Sequence, residues 1–205
     1  FQYIAKLLEK NNFHVILFTS NFSHRKKQHI DSSIIKSYPY KVILINELGY
    51  KRNVSLKRIV SHLIFALNLK REIKKVNKPD LIYVSYPTIS AAFFSGKYSK
   101  RNNIPMILDV QDVWPESISS AINTNIFFVK LVLKPITNLA NRVYTMPDLI
   151  FGVSETYVNR AKVRGTKCKE FITVYIGSDF EKIKYENNND FKTIEKGKND
   201  IWITY

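Results

Sequence analysis

The sequence predicts an α/β fold built on a parallel sheet, and three observations carry that prediction. Short runs such as residues 13–19 and 105–110 are predominantly apolar, as strands buried on both faces are. Stretches with helical spacing alternate with them, the order that builds βαβ units. Hydrophobic residues make up 45% of the 205, and aromatic residues 13%, which is ample for a packed core.

Taken in order, residues 1–10 read as a helix with no cap before it, followed by a strand at 13–19 and a polar, basic loop from Ser20 to Gln28. Residues 41–48 form the next strand. Residues 53–76 are helical, with Leu56, Val60, Leu63, Ile64 and Leu67 as an apolar stripe and Lys and Arg opposite; taken singly, such a stripe is expected to face the core. A strand at 80–85, a helix at 88–101 and a strand at 105–110 come next. A helical region over 115–144 is expected to break before Pro135. A strand at 148–153, a helix at 154–164 and a strand at 171–175 complete the alternation. From Lys184 to Asn199 the composition turns to Lys, Glu, Asn and Asp, as in a linker or exposed excursion before a last strand at 200–205. Both ends read as cut, so a fragment of a longer protein is expected.

The chain holds 32 basic and 17 acidic residues, a net charge of +15. That balance attracts polyanions: nucleic acid, anionic lipid or phosphorylated substrates. The single cysteine, Cys168, excludes an internal disulfide framework and a cysteine-based metal site, and fits a reducing compartment. No apolar run approaches the roughly 20 residues of a membrane-spanning helix, and no signal-peptide pattern is present.

Residues 108–117, Leu-Asp-Val-Gln-Asp-Val-Trp-Pro-Glu-Ser, are the most informative stretch. Ligands of open α/β sheets bind beyond the carboxyl ends of the strands. Here Asp109 and Asp112 stand where a strand gives out, followed by Trp114, a proline suited to a first helical turn, and Glu116 in that turn. Asp112 is the catalytic candidate, because a carboxylate at a cleft can orient or deprotonate a hydroxyl; its other reading is a helix cap. Asp109 either contacts a ligand or anchors the loop. Glu116 either binds or complements the helix dipole, and Trp114 either stacks on a ligand or joins the core. Ser20 and His24 lie in a loop beyond a strand end, beside Arg25, Lys26 and Lys27, which suits an anionic ligand or is a solvated basic loop. Tyr86 follows another strand and is a further candidate for the crevice. Ser154 and Glu155 open a helix whose free N–H groups favour anions, and Ser154 is equally a plain cap.

These residues resemble the family 4 glycosyltransferases that build bacterial surface polysaccharides. Asp109-Val110-Gln111-Asp112-Val113-Trp114-Pro115-Glu116-Ser117 is similar to the family's most specific motif. Residues 13–20 resemble its second strand, 151–155 its Val-Ser-Glu strand-to-helix junction, and 172–180 its crossover into a second domain. The resemblance implies a GT-B fold, two Rossmann-like domains facing a cleft. Residues 1–183 would form the N-terminal, acceptor-side domain, a parallel sheet with helices on both faces whose first strand and glycine-rich loop precede Phe1. Residues 184–199 would be the linker and 200–205 the first strand of a donor-binding domain. It places Asp112 near the acceptor, and Ser154, Glu155, Gly177 and Asp179 at the interdomain cleft. Tyr175-Ile176 stand where the family has Pro-Asn, which removes one expected donor contact.

The implied activity is transfer of a sugar from a nucleotide-sugar donor to a lipid-linked or saccharide acceptor, with retention. Neither metal nor cofactor is implied, and the fragment alone is expected to be inactive. The implied location is cytoplasmic. With +15 and a lipid-linked acceptor, the basic amphipathic helices at 56–76 and 126–144 also suit the inner face of a membrane. Two other readings are a nucleotide-sugar epimerase of similar architecture and a non-enzymatic nucleic-acid-binding domain. The second lacks any recognisable nucleic-acid module, and its basic residues are dispersed.

Overall fold

A computed structural model of the chain describes residues 2–53, 55–115, 127–164 and 168–177. Residues Phe1–Tyr175 form one compact unit and Ile176–Tyr205 another; of the second, only Ile176 and Gly177 are described. In chain order, the elements are α1 (Gln2–Lys10), β1 (Ile16–Ser20), β2 (Phe22–Ser23), β3 (Gln28–His29), a 3-10 turn (Ser32–Ser37) and β4 (Lys41–Ile45). There follow α2 (Leu56–Glu72), β5 (Ile82–Tyr86), α3 (Ile89–Asn102), β6 (Met106–Val110), α4 (Phe127–Tyr144), β7 (Leu149–Gly152), α5 (Glu155–Arg164) and β8 (Glu170–Thr173).

The α/β class holds: parallel strands flanked by helices. Strands β5, β6, β7 and β8 lie side by side in sequence order, all parallel, with Leu108 opposite Val84 and Ile150. β1 and β4 form a separate parallel pair running from Ile16 opposite Lys41 to Ser20 opposite Ile45. The single ladder expected from the sequence is therefore two. Burial follows the same division. Met106, Leu108 and Val110 on β6 are fully buried, whereas β1 is half-buried throughout. The main core joins those residues to Tyr86, Val143, Tyr144 and Ile150.

Three local expectations are corrected. The loop after β1 contains an antiparallel hairpin, Phe22 opposite His29, turned by Lys27 at φ 56°. Helix α4 runs through Pro135 without ending. Its following turns are fixed by the fully buried Ala140, Val143 and Tyr144, and the Thr137 hydroxyl donates to the Leu133 carbonyl at 3.0 Å.

The third correction concerns the rotation of α2. Its expected core stripe points outward: Leu56, Val60, Leu63 and Leu67 are all exposed. The inward face instead carries Ser61, Ala66, Leu69 and Ile73. Apolar residues occur on both faces of this helix, so periodicity alone could not choose between them. Hydrogen bonding and close packing chose. Ser61 is fully buried and bonded at its hydroxyl, and the Ser90 hydroxyl of α3 donates to the His62 carbonyl at 2.9 Å.

Gly152 ends β7 where α5 closes over it. A Cβ there would lie 2.7 Å from Val158 Cγ2 and 3.0 Å from the Val158 backbone nitrogen. Because backbone cannot step aside as a flexible side chain can, Gly152→Ala should destabilise the chain by about 1–3 kcal/mol. Urea unfolding followed by circular dichroism checks this; an unchanged midpoint would mean that α5 shifts freely on the sheet.

Candidate functional site

The chemistry collects beyond the carboxyl ends of β1, β4 and β6. Its anchor is Glu47, just after β4. One carboxylate oxygen accepts from the Ser20 hydroxyl at the end of β1, and the other from the Ser61 hydroxyl of α2 at 2.6 Å. Ser61 in turn accepts the Gly49 N–H at 2.8 Å. Alongside, Asn21 bonds to Asn46 and receives the Glu47 N–H, so the loops after β1 and β4 are laced together. Ser20, expected at an acceptor site, is committed to this internal network.

Above that anchor lies a group of rings and cations. Tyr50 is buried, and its ring meets those of Phe22, His24 and His62, with centroids 5.1, 5.8 and 5.8 Å away. The Arg58 guanidinium stands 4.4 Å from the centre of the Trp114 ring and 5.5 Å from that of Tyr50. Such stacking suits the flat, weakly hydrated guanidinium. Arg58 also donates to the Asn53 carbonyl at 2.8 Å, while its Nε is buried with no hydrogen-bond partner among the described residues. Lys27 extends over the Tyr50 ring at 4.8 Å and donates to Asn53 and to His24 Nδ1.

The histidines are held neutral. Burial, then the Lys27 and Arg58 charges, lower the His24 pKa against the opposing pull of Glu47. A neutral His24 can present Nδ1 as an acceptor, and the Lys27 ammonium at 3.2 Å and the Tyr50 hydroxyl at 2.7 Å share that one nitrogen. His62 is pushed down to about 4, chiefly by burial and next by Arg58. The permanent positive charge of this corner therefore rests on Lys27 and Arg58, and neither makes an ion pair among the described residues.

The Asp-x-x-Asp-x-Trp motif forms the other wall. Asp109 is buried, and its Oδ2 accepts from the Tyr83 hydroxyl at 2.8 Å and from Gln111 at 2.9 Å. Burial and this carboxylate raise the Tyr83 pKa. Asp112 is half-buried; its Oδ1 accepts the Val113 N–H at 2.7 Å, and Oδ2 has no hydrogen bond among the described residues. Trp114 packs on the core and precedes a cis peptide to Pro115. Tyr86, expected at the crevice, is fully buried instead; its hydroxyl donates to the Trp114 carbonyl and supports the motif from below. Ser154 caps α5, accepting the Tyr157 N–H at 3.4 Å, and Glu155 is exposed in the first turn. Gly177 is exposed; Glu116 and Asp179 lie outside the described residues.

The corner thus gathers His24 and Trp114 from the expected set, with Asp112 two residues before Trp114 in the chain. Glu47, Tyr50, Arg58, Ser61 and His62 were not foreseen. A signal was present for three of them: Arg58, Ser61 and His62 sit at i, i+3 and i+4, one face of a helix. An open depression of about 510 Å³ lies elsewhere, along β4 and α2, lined by Asn46, Asn68, Arg71, Glu72 and Lys75. Its one acid, Glu72, is paired with Lys75 at 2.6 Å. No cluster of three or more His, Cys, Asp or Glu that would hold a metal occurs among the described residues.

The fold and site together define an α/β domain with a cationic, aromatic-walled corner at its strand ends. No family model matches the chain, and no curated protein matches it. Among solved structures, MurG of Acinetobacter baumannii is similar at 12% identity and a TM-score of 0.38, over 87% of this chain. The match spans 64% of that protein's own chain.

The depressed His62 pKa makes stability depend on pH. Between its folded value of about 4 and the ordinary 6.5, the unfolded chain holds the extra proton, so stability falls as pH drops through that window. From about pH 7 to about pH 5 this one group should remove up to about 2 kcal/mol. Urea midpoints at both values, for the parent and for His62→Gln, measure it. An equal loss in both proteins would show that His62 is not the cause.

Proposed function

We propose that this chain is the acceptor-side domain of a glycosyltransferase of the GT-B, family 4 type, acting on an acceptor that carries a phosphate or diphosphate. The single observation that supports it most is the Arg58 guanidinium stacked on the ring of Trp114, which stands two residues after Asp112 in the strand-end motif. Arg58 and Lys27, neither of which makes an ion pair among the described residues, would take the anionic group, with the Arg58 guanidinium as a planar donor to phosphate oxygens. The Trp114 and Tyr50 rings set the guanidinium plane, and the neutral His24 and His62 add bulk and hydrogen bonding without charge. On this reading Trp114 serves the acceptor through Arg58.

In the transfer step, the acceptor hydroxyl oxygen would bond to the anomeric carbon as that carbon's bond to the nucleotide diphosphate breaks. The electron pair leaves with the diphosphate, and Asp112 receives or directs the hydroxyl proton. The donor-binding half would follow in the parent polypeptide, and the expected cleft contacts of Ser154, Glu155, Gly177 and Asp179 belong to that assembly. The sequence motifs and their resemblance supply the sugar-transfer part of this reading; the cation corner supplies the anionic acceptor.

Two variants test the parts separately. Binding of farnesyl diphosphate, followed by tryptophan fluorescence, should weaken about tenfold or more in Arg58→Ala, and less in Arg58→Lys, which keeps the charge but loses the fork. In the parent polypeptide, transfer of label from a panel of UDP- and GDP-sugars to a polyprenyl diphosphate should fall about a hundredfold in kcat in Asp112→Asn, with acceptor binding retained. Unaltered transfer in Asp112→Asn would remove it from the chemistry, and unaltered binding in Arg58→Ala would remove the corner from acceptor recognition.

A further inference from the structure

Tyr50 is the point at which the two cation-bearing elements of the strand-end corner meet. The residue is buried. The β2–β3 hairpin brings Phe22, His24 and Lys27 against its ring, and α2 brings Arg58 and His62. The turn before it permits that contact. Gly49 has φ 74°, and a Cβ there would stand 2.7 Å from Phe22 Cε2, so a side chain at 49 would push the hairpin away from Tyr50. The hairpin pairs only Phe22 with His29 and Ser23 with Gln28, too short a ladder to hold its own position. What it packs on sets its place.

The Tyr50 hydroxyl adds something that the ring does not. It lies 2.7 Å from His24 Nδ1, and the Lys27 ammonium lies 3.2 Å from the same nitrogen. An ammonium has protons to donate and no lone pair with which to accept one. Nδ1 therefore bears a lone pair, the Tyr50 hydroxyl donates to it as well, and the imidazole proton resides on Nε2. His24 is exposed, and its Nε2 makes no hydrogen bond among the described residues. The surrounding groups keep the ring neutral. The Lys27 and Arg58 charges oppose a second proton, Glu47 favours it, and His62 is neutral at pH 7. On the hairpin itself, the exposed Arg25 and Lys26 follow His24 in the chain.

We infer that Tyr50 is a positioning residue of the corner: its hydroxyl fixes His24 as the Nε2–H tautomer and so adds a neutral third donor to the cations of Arg58 and Lys27. The inference rests on the reading of the corner as the site of an anionic acceptor. It adds to that reading a residue that need not touch the ligand, and a proton at a stated atom. A ring nitrogen that presented its lone pair would repel a phosphate oxygen, whereas one that presents N–H attracts it, so the tautomer decides the sign of the contact.

The tautomer is read from the imidazole nitrogen-15 shifts of the ligand-free chain at neutral pH, with His24→Ala identifying the signals among the four histidines. The parent should show a protonated Nε2 and a bare Nδ1 at His24, and Tyr50→Phe, which keeps the ring, should raise the share of the Nδ1–H form. Affinity for farnesyl diphosphate, followed by tryptophan fluorescence, should fall about fivefold in His24→Ala and nearly as far in Tyr50→Phe. The double variant should lose no more than His24→Ala alone, because the hydroxyl acts through the imidazole. Circular dichroism confirms that the fold is kept. A protonated Nδ1 in the parent, an unchanged His24 pattern in Tyr50→Phe, or losses that multiply in the double variant would each overturn the assignment. If the parent binds and Tyr50→Phe binds as tightly, the acceptor reading stands and the role of Tyr50 falls. If the parent does not bind, the acceptor reading falls and takes the donor role of His24 with it.

Discussion

The Glu47 carboxylate, shared between the Ser20 and Ser61 hydroxyls, is the interaction on which the rest of this structure depends. It joins the end of β1, the loop after β4 and the middle of α2 in one network. A buried, partly satisfied polar group is costly, so once Ser61 sits against Glu47 and the Gly49 N–H the helix cannot rotate away cheaply. That fixes the phase of α2. Arg58, one turn earlier, and His62, the next residue, then face the strand ends. The positions a half-turn away, Leu56, Val60, Leu63 and Leu67, must face out.

The electrostatics of the corner follow from that phase. Glu47 is the acid inside the network, and each of its carboxylate oxygens accepts from a serine hydroxyl. The rings of Tyr50 and Trp114 offer Arg58 a cation–π surface instead of a counter-charge. Arg58 gives one donor to the Asn53 carbonyl, and a guanidinium held in this way by rings keeps other donors for a ligand that one locked in a bidentate carboxylate pair would not. Desolvation of the two histidines works in the same direction: protonating either would add a positive charge beside Arg58, and burial opposes it. The site is thereby set to a fixed charge near neutral pH.

Much of the fold was legible in the sequence because parallel strands buried on both faces announce themselves as apolar runs. Residues 105–110 are the clearest case, and β6 occupies 106–110. The split into two ladders was not legible, since a strand's sequence states that it is buried and says nothing about which neighbour it pairs with. The 108–117 motif pointed to one wall of the candidate site because ligands of open α/β sheets bind beyond the strand ends, although Asp109 itself is spent on Tyr83 and Gln111. The opposite wall was missed for a different reason. Arg58, Ser61 and His62 lie on a helix whose apolar residues favour the other face, and a periodicity argument weights aliphatic bulk above a single serine. Tyr86 was misplaced because the position after a strand can point into the core as readily as toward solvent, and its hydroxyl found the Trp114 carbonyl.

The misreading of α2 carries a general point about hydrophobic stripes. A core-facing position requires close approach as well as apolarity, and Ala66 and Ser61 allow β4 and α3 to come near where Leu63 or Leu67 would hold them off. The inward face is accordingly small and hydrogen-bonded, and the larger aliphatic residues are left over. Apolar side chains left in water forgo the stabilisation that burial would give, and here they form an aligned row bordered by lysines and arginines. One serine-to-glutamate bond sets it in place, and the same bond turns Arg58 toward the strand ends.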